Sequence, residues 1–179
     1  MTSNNNESLP TGSSSNYPAP VGITVKTTIE RGDAYLSPQI FNVEITLLEM
    51  VRGKEALDRI RSEGVSDKSP DAGFEYILAL IRFGYFQRGR RQGSEPYQLT
   101  EGQFVAVSAD GTQEYELPSH QLQPQPSLID HLFQQGESYE GWVFLQVPEE
   151  EKEPRLIFKR KHVEGMYGIW GYVWFQLYK

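Results

Sequence analysis

Residues able to do acid–base or metal chemistry are few and scattered. The only imidazoles are His120, His131 and His162. No two of them are spaced four apart, and no HExxH pair offers zinc two ligands from one helix face. His120 and His131 fall in or beside one Pro- and Gln-rich stretch, so folding could bring them together; solvated loop histidines are the plainer reading. Calcium wants several oxygen ligands at close spacing. Asp67, Asp71 and Glu75 make one loose acidic group, and Glu149, Glu150, Glu151 and Glu153 make another. Neither has EF-hand spacing, and an acidic loop tip usually stays solvated and discourages edge pairing. The absence of cysteine removes disulfides, thiolate nucleophiles and sulfur-ligated metal centres. Ser119 and His120 are neighbours without a GxSxG frame. No GxxxxGK[ST] or GxGxxG loop is present to cradle a phosphate. The expectation is therefore no catalytic residue, no metal and no cofactor. Glycosidase carboxylates are matched by distance in space rather than in sequence. A hydrolase with a site of scattered carboxylates thus remains as one alternative.

Aromatic residues are the better candidates for binding. Tyr167, Trp170, Tyr172, Trp174 and Tyr178 cluster near the C-terminus. Facing outward, they would form a flat platform for a sugar ring or a partner protein. Covered by a second layer, for instance a helix at 54–62, they would be core, and this is the favoured reading. Gly165, Gly168 and Gly171 make the segment between them bendable. The candidate binding residues are thus Tyr167, Trp170, Tyr172 and Trp174, with His120 and His131 in the crossover loop. Arg88, Arg90 and Arg91 suit an acidic partner or a solvated hairpin tip.

The elements that must position these residues read mainly as strands. Ile23, Val25, Thr27 and Ile29 share one face of a strand, and Phe41, Val43, Ile45 and Leu47 share one face of the next. Ala56, Leu57 and Ile60 share a helical face, with Gly64 as the stop, which predicts two or three turns packed across one end of the fold. In the run 74–86, Tyr76, Leu78 and Leu80 oppose Ile77, Ala79, Ile81 and Phe83, so this strand is expected to be covered on both sides. Asp110-Gly111 marks a hairpin turn. Residues 118–136 read as a long crossover between sheets. Later strands alternate Tyr139, Gly141, Val143, Leu145 and Val147 with Trp142 and Phe144, and Val173, Phe175 and Leu177 with Tyr172, Trp174 and Tyr178. Gly141 inside such a pattern signals a bulge or close packing under a neighbour such as Trp142. The sum is an all-β, immunoglobulin-like β-sandwich of seven to eight strands with one short helical insertion, over residues 21–179. Residues 1–20 are polar and rich in Ser, Asn, Gly and Pro, and read as a disordered tether.

Net charge is −7, which disfavours a nucleic-acid backbone or an anionic membrane surface as partner. No apolar run is long enough to cross a bilayer and no signal peptide is visible. The protein is then either cytosolic or exported from a longer precursor.

Two stretches, Val51-Arg52-Gly53-Lys54-Glu55-Ala56-Leu57 and Pro70-Asp71-Ala72-Gly73-Phe74-Glu75-Tyr76-Ile77-Leu78, resemble a signature of uncharacterised bacterial lipoproteins with a telokin-like, immunoglobulin-type domain. Gly136-Glu137-Ser138-Tyr139-Glu140-Gly141-Trp142-Val143-Phe144 and the closing Trp174-Phe175 are similar to the same group. The resemblance spans most of residues 21–179 and concerns structural elements rather than catalytic ones. It implies an exported protein held at the membrane by a lipid on an N-terminal cysteine, which this chain does not contain. The expected function is a non-catalytic extracytoplasmic module that binds a protein or another cell-envelope component. The expected contact with the membrane is through that anchor alone. A carbohydrate-binding module using the C-terminal aromatics is the alternative, and a cytoplasmic protein is the alternative location.

Overall fold

The alternation along the chain resolves into two antiparallel sheets. The structure, a computed structural model, describes residues 11–31, 39–64, 68–87, 96–118, 124–160 and 171–178. Its elements are β1 (Thr24–Arg31), β2 (Gln39–Arg52), α1 (Lys54–Ser62), β3 (Phe74–Gln87), β4 (Tyr97–Gln98), β5 (Phe104–Val107), β6 (Leu132–Phe133), β7 (Glu137–Pro148), β8 (Arg155–Lys159) and β9 (Tyr172–Gln176). One sheet has the order β1-β2-β3-β7 and the other β5-β8-β9, with β4 and β6 as a two-residue pair. This is the all-β sandwich with one short helix expected from the sequence.

The core lies between the sheets because one set of alternate residues from each faces inward. Phe41, Val43, Ile45 and Leu47 from β2 and Ile77, Ala79, Ile81 and Phe83 from β3 meet Phe104, Leu156, Phe158 and Phe175 from the other sheet. The rings of Phe83 and Phe158 join the layers at 5.7 Å between centroids. The opposite face of β3 is apolar too. Tyr76 and Leu78 pack with Val51, Trp142 and Phe144 beneath Ala56 and Ile60 of α1. The helix therefore lies on the outer face of the four-stranded sheet, not across an end and not over the C-terminal aromatics. Its Ala56–Ile60 face needs an apolar partner, and the outward residues of β3 and β7 supply it. Gly64, at φ 68, follows the C-cap Glu63 as the expected stop.

Two connections close the sandwich. Gly141 is glycine because the crossover main chain passes directly over it: a Cβ there would lie 2.6 Å from the Leu128 nitrogen. The close approach is by the backbone of residues 127–128. The Trp142 N–H donates to the Pro126 carbonyl at 2.7 Å, and the Leu128 N–H donates to the Trp142 carbonyl at 3.2 Å. The second closure is the N-terminal segment. Residues 11–20, expected to be part of a free tether, pack on the sandwich instead. Ala19 is fully buried. Its N–H donates to the Trp174 carbonyl (2.8 Å), its carbonyl accepts from Gln176 (2.9 Å), and the Gly12 carbonyl accepts from Trp174 (3.0 Å). The physical reason is that the free edge of β9 offers main-chain partners, and these need no apolar sequence.

Candidate functional site

Tyr172 and Trp174 project from β9 onto the outer face of the three-stranded sheet, where they pack with Val105, Val107 and Ile157. Their rings meet edge to face at 6.0 Å and 81°, so they do not form one flat platform. Both are half-buried. The edge of the Trp174 ring lies against Gly111, where an added Cβ would come within 2.5 Å of it. Tyr178 is covered on one face by the Arg155 guanidinium, 4.6 Å from its ring centroid. The Nε of Arg155 in turn donates to the Ser15 carbonyl at 3.1 Å. The layer over these aromatics is thus residues 12–15 together with the 108–113 turn. Tyr167, Trp170, His120, His162, Asp67, Arg88, Arg90 and Arg91 lie outside the described residues.

His131 is placed just before β6. Its ring stacks on Tyr139 at 3.6 Å and 4°, and its Nε2 lies 2.7 Å from Glu137 Oε1. The Gln134 N–H donates to the other oxygen of Glu137 at 2.7 Å. That main-chain donor first, and the imidazole second, hold the Glu137 carboxyl below the ordinary carboxylate range. This arrangement fastens the end of the crossover to β7.

The carboxylates singled out in the sequence are mostly engaged by neighbours. Glu75 accepts from Arg52 at 2.7 Å, Asp71 from the Gln146 amide at 3.2 Å, and Glu151 from the Tyr115 hydroxyl at 2.8 Å. Burial first, and then Glu151, push the Tyr115 hydroxyl well above its usual range. Among the described residues, no three His, Asp or Glu side chains come together as metal ligands.

Two grooves, neither foreseen from the sequence, flank the N-terminal segment. The first, of about 330 Å³, is bordered by residues 11–13, by Thr24 to Thr27 of β1, by Arg160 and by Tyr172 and Val173 of β9. Arg160 donates through Nε to the Gly171 carbonyl at 3.0 Å and through Nη1 to the Thr27 hydroxyl at 3.4 Å. Lys26 pairs with Glu44 at 2.7 Å. The surface mixes hydroxyls and two cations with the apolar Val25 and Val173, and Tyr172 adds one aromatic. The second groove, of about 410 Å³, is lined by Pro20, Val21, Leu48, Glu49, Met50, Val51, Glu55, Gln176 and Tyr178. It is mainly apolar with an acidic margin.

Fold and grooves together define a class: an all-β sandwich domain with two surface grooves along the side where β1 and β2 face β9. Compared with known proteins, the chain matches no protein-family model, no curated protein and no solved structure.

Proposed function

We propose that this domain is a non-catalytic binding module of the bacterial cell envelope, held outside the cytoplasm by a lipid anchor on a longer precursor. The observation that carries the binding reading is the position of the two grooves. They flank the same segment, 11–20, on one side of the sandwich; one mixes hydroxyls and cations with apolar side chains, the other is mainly apolar with an acidic margin. A rigid β scaffold with recognition surfaces at its margins is a common arrangement for binding. The location rests on the likeness of residues 51–57, 70–78 and 136–144 to the telokin-like lipoprotein group. Net charge −7 favours a protein or envelope component over nucleic acid. Cell fractionation and intact mass of the product of the native gene test this. A membrane-fraction product with a lipid-sized mass increment on an N-terminal cysteine is expected. A soluble cytosolic product starting at Met1 would overturn the location.

The groove that carries the hydroxyls and cations favours a second reading, a carbohydrate ligand. Tyr172 at its rim, with Thr and Ser hydroxyls and the Arg160 and Lys26 cations, suits a sugar bearing acidic groups. Titration with cell-wall glycans should shift the tryptophan emission, and Tyr172→Ala should remove the response. No shift with any glycan would sink this reading.

A further inference from the structure

β2 outruns its outer neighbour. β1 ends its pairing at Thr24, opposite Thr46, and the last main-chain contact on that side is the Gly22 N–H on the Leu47 carbonyl, at 2.8 Å. The register of β2 against β3 then shifts between Leu47 and Glu49, a bulge at Leu48. Beyond it β2 continues to Arg52, and among the described residues no strand lies on its far side. The direction of its main chain follows from the pairing. The Gly53 N–H donates to the Tyr76 carbonyl on β3, and Val51 faces Leu78. By alternation in an antiparallel ladder, the N–H and C=O of Met50 and Arg52 point away from β3. Met50 borders the apolar groove, whose wall on this side is Leu48 to Val51. Val21 and Ile23, 45% and 47% exposed, extend the apolar surface at one end. Two carboxylates mark the margin. Glu49 has a long 3.7 Å contact to Arg59, and Glu55 is exposed.

We propose that residues 48–52 of β2 are a docking edge for an extended segment of a partner protein, one that alternates apolar and basic side chains and adds to the sheet as a further strand. The proposal rests on the binding-module reading and deepens it by naming the class of partner. Strand addition supplies affinity through main-chain hydrogen bonds and specificity through alternate side-chain pockets. Here Met50 and Arg52 offer the main-chain groups, the groove takes the apolar side chains, and Glu49 and Glu55 select basic ones. A second copy of this chain fits less well. Pairing the same edge with itself would set Glu49 and Glu55 of both copies along one seam, and like charges there repel.

The probe is a capped heptapeptide of alternating lysine and valine, added to the full chain while ¹H–¹⁵N correlation spectra are recorded. The amides of Met50, Val51 and Arg52 should shift, and the Met50 amide should become protected from exchange. Glu49→Lys with Glu55→Lys should weaken binding about tenfold, and both side chains are exposed enough to leave the remaining spectrum in place. The same peptide with glutamate for lysine should not bind. A Met50 amide already protected before the peptide is added would overturn the proposal. So would self-association on sedimentation that produces the same shifts without peptide, since the occupant would then be a second copy. Shifts confined to Thr24–Thr27 and Arg160 would overturn the docking edge and leave the binding-module reading in place.

Discussion

Each sheet has an apolar outer face, and the two are covered by different means. On the four-stranded sheet, α1 lays Ala56 and Ile60 over Tyr76, Leu78, Trp142 and Phe144. The rings of Tyr76 and Phe144 lie 4.7 Å apart, and the Arg59 guanidinium closes over Trp142 at 3.9 Å. On the three-stranded sheet, Tyr172 and Trp174 meet no helix among the described residues. Their cover is the irregular segment at residues 12–15 and the turn at Gly111. The first cover works by side-chain volume, so it weakens when a cavity opens. The second works by main-chain hydrogen bonds and close approach, so it weakens when the backbone is removed or crowded.

The largest effect should come from the first kind of cover. Ile60→Ala removes a fully buried side chain and should destabilise the protein by about 2–4 kcal/mol, read as a lower midpoint in thermal or urea unfolding. Tryptophan emission from Trp174 should not change before unfolding. If it does, the two faces are coupled and the contrast fails. Deleting residues 1–18 comes next. It removes the Gly12 bond to Trp174 and the Ser15 bond to Arg155, at about 1–3 kcal/mol for bonds lost from part-buried groups. Acrylamide should then quench Trp174 more strongly, which is best read in a variant in which Trp142 and Trp170 are replaced by Phe.

Gly111→Ala sharpens the same point at smaller scale. It places a methyl group against the Trp174 ring at φ 77 and should cost about 1–2 kcal/mol. An Ala variant as stable as the parent would mean that the turn is not part of the cover. The smallest effect is acid dependence at Asp110. The Ser108 hydroxyl, and then the Thr112 N–H and hydroxyl, hold this carboxyl at about 2. A lowered value means that its contribution is complete above the unfolded value of about 3.9 and is lost as pH falls through the folded one. Carboxyl chemical shifts of Asp110 should therefore titrate near 2, and in Asp110→Asn the turn's acid sensitivity should disappear.

Period-two alternation made the strands legible, and the apolar residues on both faces of 74–86 marked a strand covered on both sides. The Ala56–Leu57–Ile60 spacing with Gly64 placed the helix closely along the chain. What it did not reveal was the helix's partner, because the outward residues of β3 and β7 become one patch only when the strands are paired. Residues 11–20 were misread for a related reason. Hydrogen bonds from Gly12 and Ala19 to β9 involve backbone alone, and composition is blind to them. The grooves were hidden because each depends on strand register. The Met50 edge exists only because β1 stops at Thr24, and Arg160 reaches Thr27 only across two sheets. Among the proposed aromatic site residues, the alternation set Tyr172 and Trp174 on the face opposite Val173 and Phe175, whereas what covers that face and the edge-to-face tilt of the rings are set by the packing around them.

The bond between Arg155 and Ser15 joins residues 140 positions apart, and the Gly12 and Ala19 bonds to β9 are comparably remote in sequence. The main-chain bonds that tie Gly12 and Ala19 to the sandwich therefore form only once the last strand exists. On a ribosome, where chains emerge N-terminus first, β1, β2 and β3 can form their meander early, while the segment ahead of them waits for almost the whole domain to be synthesised. Such long-range closure is slow. Completion of the fold is thus timed by β9, and a chain released just short of Tyr172 would leave its own beginning unfolded.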